Sequence, residues 1–374
     1  MDTGLDGVVA AVTKLSQVDG GAGRLIVRGH DIEELAADYD FADMAALLWD
    51  GLAPGQQDSA AIRQDLGQAR SRVAAMLPVL LPAARDLSAI EGLRAGLAML
   101  GDDTSDHLLL CAAVPVFTAA LWRQSQGEAP VAPDPARGQA EDFLTMLTGG
   151  PVDQAAARAL ETYLVTVADH GLNASTFTAR VVASTRAGIV SSVVAALCAL
   201  KGPLPGGAPG PVLDMLDEIG DLDGVEPWLQ RQFAAGERLM GFGHRVYRTR
   251  DPRADVLKAV VANLRGGANR IALAEAVERA ILAQLAVRYP DRRLDTNVEF
   301  YTALALEAAC KKSGRSYTRF DYRGHGQSGA EFESGTIGLW AEDALAVLDQ
   351  VAQGPQIIVG SSMGGWIMLL LARA

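Results

Sequence analysis

The stretch Gly241-Phe242-Gly243-His244-Arg245-Val246-Tyr247 sets an imidazole among glycines, and Asp251-Pro252-Arg253-Ala254 follows it closely. Glycine has no Cβ, so the backbone beside His244 can approach a small ligand. Nine residues beyond His244, Arg253 offers a planar guanidinium fork that matches a carboxylate in bidentate fashion. One imidazole and one permanent cation beside a tight turn suit a small oxo-acid. Taken alone, the same residues also fit a helix-terminal histidine beside a solvated Arg and Asp cluster. A second candidate is Asp169-His170-Gly171, where glycine is expected to end a helix and leave the imidazole at its C-terminal mouth. Asn173 then opens the next helix. In isolation, His170 fits a satisfied loop histidine equally well.

The elements that must position these residues are mostly helical. Gln17 to Gly29 predicts a short hairpin, with turn residues Asp19-Gly20-Gly21 before an alternating strand. Asp31 is expected to cap the helix that follows, and His30 beside it to be structural. From Asp43 to Gly149, apolar residues recur at three- and four-residue spacing, as in helices packed face to face. His107 follows aspartates in a loop and is expected to face solvent. Asp153 caps a further helix, and Ile189 to Leu200 reads as a buried one.

Of the 374 residues, 49% are hydrophobic, 21% charged and 6% aromatic, a globular composition favouring packed helices. The net charge of −12 argues against a nucleic-acid surface, yet a local Arg and His pocket can still hold an anion. Cys111, Cys198 and Cys310 have no metal-ligand spacing and read as buried thiols of a reducing compartment. There is no signal-peptide pattern, and the apolar run Ile189 to Leu200 is too short to span a bilayer. A cytoplasmic protein without membrane or nucleic-acid partners is expected.

GFGHRVYRTRDPRA and DHGLNASTFTAR closely resemble, in the correct order, the oxaloacetate-holding segments of citrate and methylcitrate synthases. The resemblance covers residues 1–309 and implies a mainly α, multi-helical body with a small N-terminal hairpin. It implies condensation of an acyl-coenzyme A with an α-oxo acid, as in the tricarboxylic acid cycle. No permanently bound cofactor is implied; the coenzyme A thioester is a co-substrate. By match, His244 polarises the electrophilic carbonyl, while His170, Asn173 and Arg253 hold the oxo-acid. Arg245 and Arg248 are candidates for the coenzyme's phosphates. The base falls in Asp295-Thr296-Asn297-Val298-Glu299-Phe300-Tyr301, where Glu299 stands at the position of the family's usual aspartate. The enol-stabilising histidine of the family's Gly-Pro-Leu-His-Gly-Gly-Ala loop is replaced: here the loop reads Gly202-Pro203-Leu204-Pro205-Gly206-Gly207-Ala208. Proline has neither a side-chain donor nor an N–H, so impaired condensation is expected. The family is dimeric, which implies a homodimer.

Past Ala309 the resemblance stops, without the further arginines and partner-embracing segment that citrate synthases carry. Residues 310–374 predict a βαβα fragment in which Gly360-Ser361-Ser362-Met363-Gly364 fits a nucleophile elbow between strand and helix. With DYRGHGQSG upstream, this part resembles a truncated α/β-hydrolase of the serine esterase or thioesterase kind. Ser362 would be its nucleophile, but the 12 residues after it include no acid and no histidine, so an activating base is missing. Three functions are therefore open: a citrate-synthase-type acyltransferase, a serine hydrolase through Ser362, and a non-catalytic binder of oxo-acids or coenzyme A.

Overall fold

In the computed structural model, the described residues are 11–53, 58–102, 107–201, 209–235, 239, 241–242, 251–263, 268–289, 294–298, 300–302 and 304. The expectations for Pro205, His244, Arg245, Arg248, Glu299, Cys310, Ser362 and the whole hydrolase-like segment lie outside them. The described part is a multi-helical body with one small sheet at its N-terminal end.

The hairpin forms as expected. Strand β1 (Ser16–Asp19) runs antiparallel to β2 (Arg24–Val27), with Ser16 opposite Val27, and the two-residue β3 (His30–Asp31) pairs with β2. The Asp19 carboxylate accepts the amides of Gly21 and Ala22, which closes the turn. Asp31 occupies the N-cap position of α1 (Ile32–Asp38), yet its side chain makes no capping bond. Its carboxylate instead takes Nε and Nη2 of Arg24 at 2.9 and 2.6 Å. A cation reached across the hairpin outcompetes a neutral amide for the same oxygens.

Helices α2 (Phe41–Trp49), α3 (Ser59–Ala74), α4 (Leu77–Ala83), α5 (Ala89–Ala98), α6 (His107–Ser125) and α7 (Gln139–Thr148) follow. Aspartates start two of them. Asp40 forms a capping box with Asp43, and Asp58 accepts the Ala61 amide. Helix α4 was not apparent in the sequence, because two prolines in LPVLLPA break the expected pattern; one lies in its first turn. Helix α6 is long and apolar enough to cross a membrane, but Ala112, Ala113, Val116, Phe117 and Ala119 are buried against neighbouring helices. It is the centre of this core. His107, at its first turn, does not face solvent freely: its ring meets Trp49 edge-on at 4.5 Å. An imidazole with an apolar neighbour gains by covering it.

A charged pair lies inside this bundle. Arg70 is 1% exposed, and its Nε meets the Asp142 carboxylate at 2.5 Å. Nη1 donates to Gln139 at 2.7 Å and Nη2 to the Arg137 carbonyl at 2.7 Å. Gly67, a turn earlier on α3, lets this loop close in: a Cβ there would lie 2.1 Å from the Pro135 carbonyl oxygen.

Helices α8 (Gln154–Thr166), α9 (Ala174–Ser184), α10 (Ile189–Leu200), α11 (Pro209–Ile219), α12 (Val225–Ala235), α13 (Pro252–Asn263) and α14 (Ala268–Arg288) complete the body. As expected, Asp153 caps α8. The helix ends at Thr166 and not at Gly171, which serves the next turn with a φ of +84°. Helix α10 is not the buried helix its apolarity suggests. Only Val190 and Ser192 are buried, and α9, packed along it, buries none. Cys198 on α10 is exposed and Cys111 half-buried. A uniformly apolar run marks no inner face, so its burial follows from its neighbours alone.

Removing the Arg70 guanidinium strands the buried Asp142 charge. Arg70→Ala is expected to destabilise the protein by about 3–5 kcal/mol, measured by urea unfolding.

Candidate active site

Packing of α8 against α13 and of α1 against α13 brings the chain after α8 to the start of α13. Val256 of α13 packs into the core shared by the hairpin, α1 and Val165 of α8. His170 follows α8, and Arg253 lies in the first turn of α13, so helix packing sets the distance between them.

The turn around His170 is held from both sides. Asp169 accepts the Ser16 hydroxyl from the hairpin and the Gly171 amide at 3.1 Å. Asn173 uses its carbonyl oxygen to cap α9 through the Thr176 amide at 2.9 Å. That turns its amide nitrogen toward His170 Nε2, 3.5 Å away at the long limit of a hydrogen bond. Burial, and then the Arg253 charge, hold the imidazole below its ordinary value of 6.5. The two sequence candidates therefore sense each other electrostatically.

Asp251 precedes Pro252, the first residue of α13. Its carboxylate oxygen Oδ1 accepts the Arg253 amide at 3.1 Å and Nε at 3.0 Å, while Oδ2 accepts Nη2 at 2.8 Å. Both side chains are nearly sealed, at 1% and 6% exposure. One edge of the guanidinium is thus committed to Asp251, which fixes its plane. A carboxylate ligand would have to meet the opposite edge.

Asp251 also reaches the third stretch. Its Oδ2 accepts the Val298 amide at 3.3 Å, one residue before Glu299 in sequence. Phe242 pairs with Thr296 in an isolated antiparallel bridge, and the Asn297 amide donates to the Gly241 carbonyl at 3.0 Å. Gly241 and Phe242 therefore run beside Thr296 and Asn297. Gly241 has a φ of +83° and abuts Phe300, a conformation that favours glycine.

The loop bearing Pro205 leaves from Lys201, the C-cap of α10. Lys201 Nζ meets the Glu91 carboxylate at 2.9 Å. Hydrogen bonds from Ser88 and then Lys201 lower the Glu91 carboxyl to about 2. Among the described residues no cluster of three or more His, Cys, Asp or Glu could hold a metal.

With this geometry in view, comparison with known proteins is decisive for the body. Residues 4–312 match the citrate synthase C-terminal domain. The chain belongs to the citrate synthase family. A Mycobacterium tuberculosis relative carrying a citrate synthase name is 40% identical over 316 residues, covering 82% of this chain and 81% of its own. The 2-methylcitrate synthase of the same organism is 36% identical over 265 residues, covering 68% and 67%. The solved citrate synthase of Thermotoga maritima superposes with a TM-score of 0.71 at 32% identity, covering 83% of this chain and 84% of that one. Residues 297–374 match a second family, the S33 serine aminopeptidases. This match overlaps the first, so the two regions share residues 297–312.

Two residues of the site were not singled out by sequence. Asp251 was visible only as part of the DPR string. Glu278, in the middle of α14, carries no local signal, although it is 3% exposed and bonded to this region.

The lowered His170 value has a definite sign. The unfolded chain takes its proton first, so this imidazole's stabilising contribution is complete above 6.5 and is lost as pH falls toward the folded value. A bound dianion acts oppositely and draws a proton onto the ring. Oxaloacetate binding is expected to take up protons between about pH 6 and 7, measured by calorimetry in buffers of differing ionisation enthalpy. His170→Gln should abolish the uptake.

Proposed function

We propose that this chain is an acyltransferase of the citrate synthase type that condenses acetyl- or propionyl-coenzyme A with oxaloacetate. Enzymes of that type are the family to which residues 4–312 belong. The observation that carries the reading is the Asp251 junction. It bonds the cation expected to hold oxaloacetate and the amide next to the expected base, while a bridge joins Phe242, two residues before His244 in sequence, to Thr296. In this reading His170, Asn173 and Arg253 hold the dianion, and His244 polarises its ketone. Glu299 removes the proton from the carbon beside the thioester, and Arg245 and Arg248 meet the coenzyme's phosphates. Relatives named for citrate and for methylcitrate synthesis both resemble the chain, so the acyl group is left as either.

Pro205 impairs the enolisation step. Loss of one oxyanion-type donor lowers turnover by about 10²–10³-fold. Coenzyme A release with oxaloacetate is expected to be slow in the unmodified protein and to rise by about 10²-fold in Pro205→His. A normal rate before substitution would end the impairment idea. Oxaloacetate binding without any turnover would instead identify a non-catalytic binder.

The homodimer expected of the family has support in the α9–α10 pair, where Val181 and Leu200 stand 50% and 53% exposed. Apolar residues left open on a packed helix pair are suited to a second copy. Sedimentation is expected to show the dimer, and Leu200→Glu to weaken it.

The match to serine aminopeptidases favours a second reading for residues 310–374, hydrolysis through Ser362. A fluorophosphonate probe would label Ser362 only where a base activates it.

A further inference from the structure

Glu278 is a buried carboxylate in the middle of α14 that no step proposed above employs. Its Oε1 accepts the Thr296 hydroxyl at 2.6 Å. Its Oε2 accepts the Tyr301 hydroxyl at 2.6 Å and Lys258 Nζ of α13 at 3.1 Å. Thr296 and Tyr301 flank Glu299 in sequence, three residues before and two after. Thr296 is also the residue bridged to Phe242, so the same carboxylate is tied through it to Phe242. Lys258 supplies the compensating charge. It also contacts Glu275 at 3.4 Å, and its ammonium lies 5.5 Å from the Tyr301 ring centroid. A buried carboxylate is tolerated when its lone pairs are filled and a cation balances it. Here both hydroxyl donors come from one short stretch, which makes the carboxylate a fixed point for that stretch.

We infer that Glu278 is a positioning residue for the base, anchoring both flanks of Glu299 so that its carboxylate meets the acyl thioester in register. The inference rests on the condensation reading. Glutamate is one methylene longer than the family's usual aspartate, so the placement of this backbone matters more here. A misplacement of about 1 Å can lower a rate by about 10²-fold.

Glu278→Gln tests this in the full chain. Its amide nitrogen would face either Thr296 or the Tyr301 and Lys258 pair, all of which donate to the present carboxylate. Hydrogen exchange followed by mass spectrometry should show backbone amides in peptide 294–304 exchanging about tenfold faster, with α5 to α7 unchanged. In parallel, solvent-deuterium exchange at the carbon beside the acyl thioester should slow by about 10–10²-fold, with oxaloacetate affinity within about twofold of the unmodified protein. Tyr301→Phe and Thr296→Val remove one donor each, preserve the charge pair, and should show smaller effects of the same pattern. Glu275→Gln should show none. Unchanged protection of 294–304, or faster exchange everywhere, would overturn the proposal, the latter making Glu278 a general stabiliser. Absence of thioester exchange in both the unmodified chain and Pro205→His would defeat the condensation reading instead, and the amide exchange would still decide the placement.

Discussion

The ion pair between Asp251 and Arg253 is the constraint on which the site depends. Taking both charges out of water is unfavourable unless the oxygens of the carboxylate are filled. They are filled by the Arg253 backbone and side chain and by the Val298 amide. The last of these donors comes from a stretch more than 40 residues away, so the pair is satisfied only when α13 and the chain after α14 are correctly apposed. Charge burial thus acts here as a specification of geometry, and its benefit to stability is secondary.

The rest of the molecule supplies the frame. The first bundle, centred on α6, has its own buried pair in Arg70 and Asp142. Helix α8 belongs to both worlds: Val165 packs with the hairpin, and Tyr163 packs against the core of α11 to α14. His170 hangs from the end of this shared helix. Small movements of α8 against α13 would therefore change the spacing of imidazole and guanidinium before they changed either core.

Much of this was legible from the residues. Periodicity located most helices between Asp43 and Gly149, and turn residues located the hairpin, because those signals are local. His170, Asn173 and Arg253 were singled out through short strings that demand special backbone; in the structure the Asn173 amide lies 3.5 Å from His170, and the Arg253 charge acts on that imidazole. What could not be read was long-range. Glu278 looks like any charged residue in a helix, and Arg70 like any surface arginine, until the partners 18 and 72 residues away are known. Asp31 shows the converse: a perfect local capping signal lost to an arginine across the sheet. The exposure of α10 was hidden for a similar reason, since an apolar run states its composition but not its neighbours.

The Lys201–Glu91 contact bears on the chain that leaves α10. Both residues lie outside the glycine-rich loop, and their contact is made between their own side chains. The mooring of the chain where α10 ends is therefore set by Glu91, apart from whatever side chain stands at position 205.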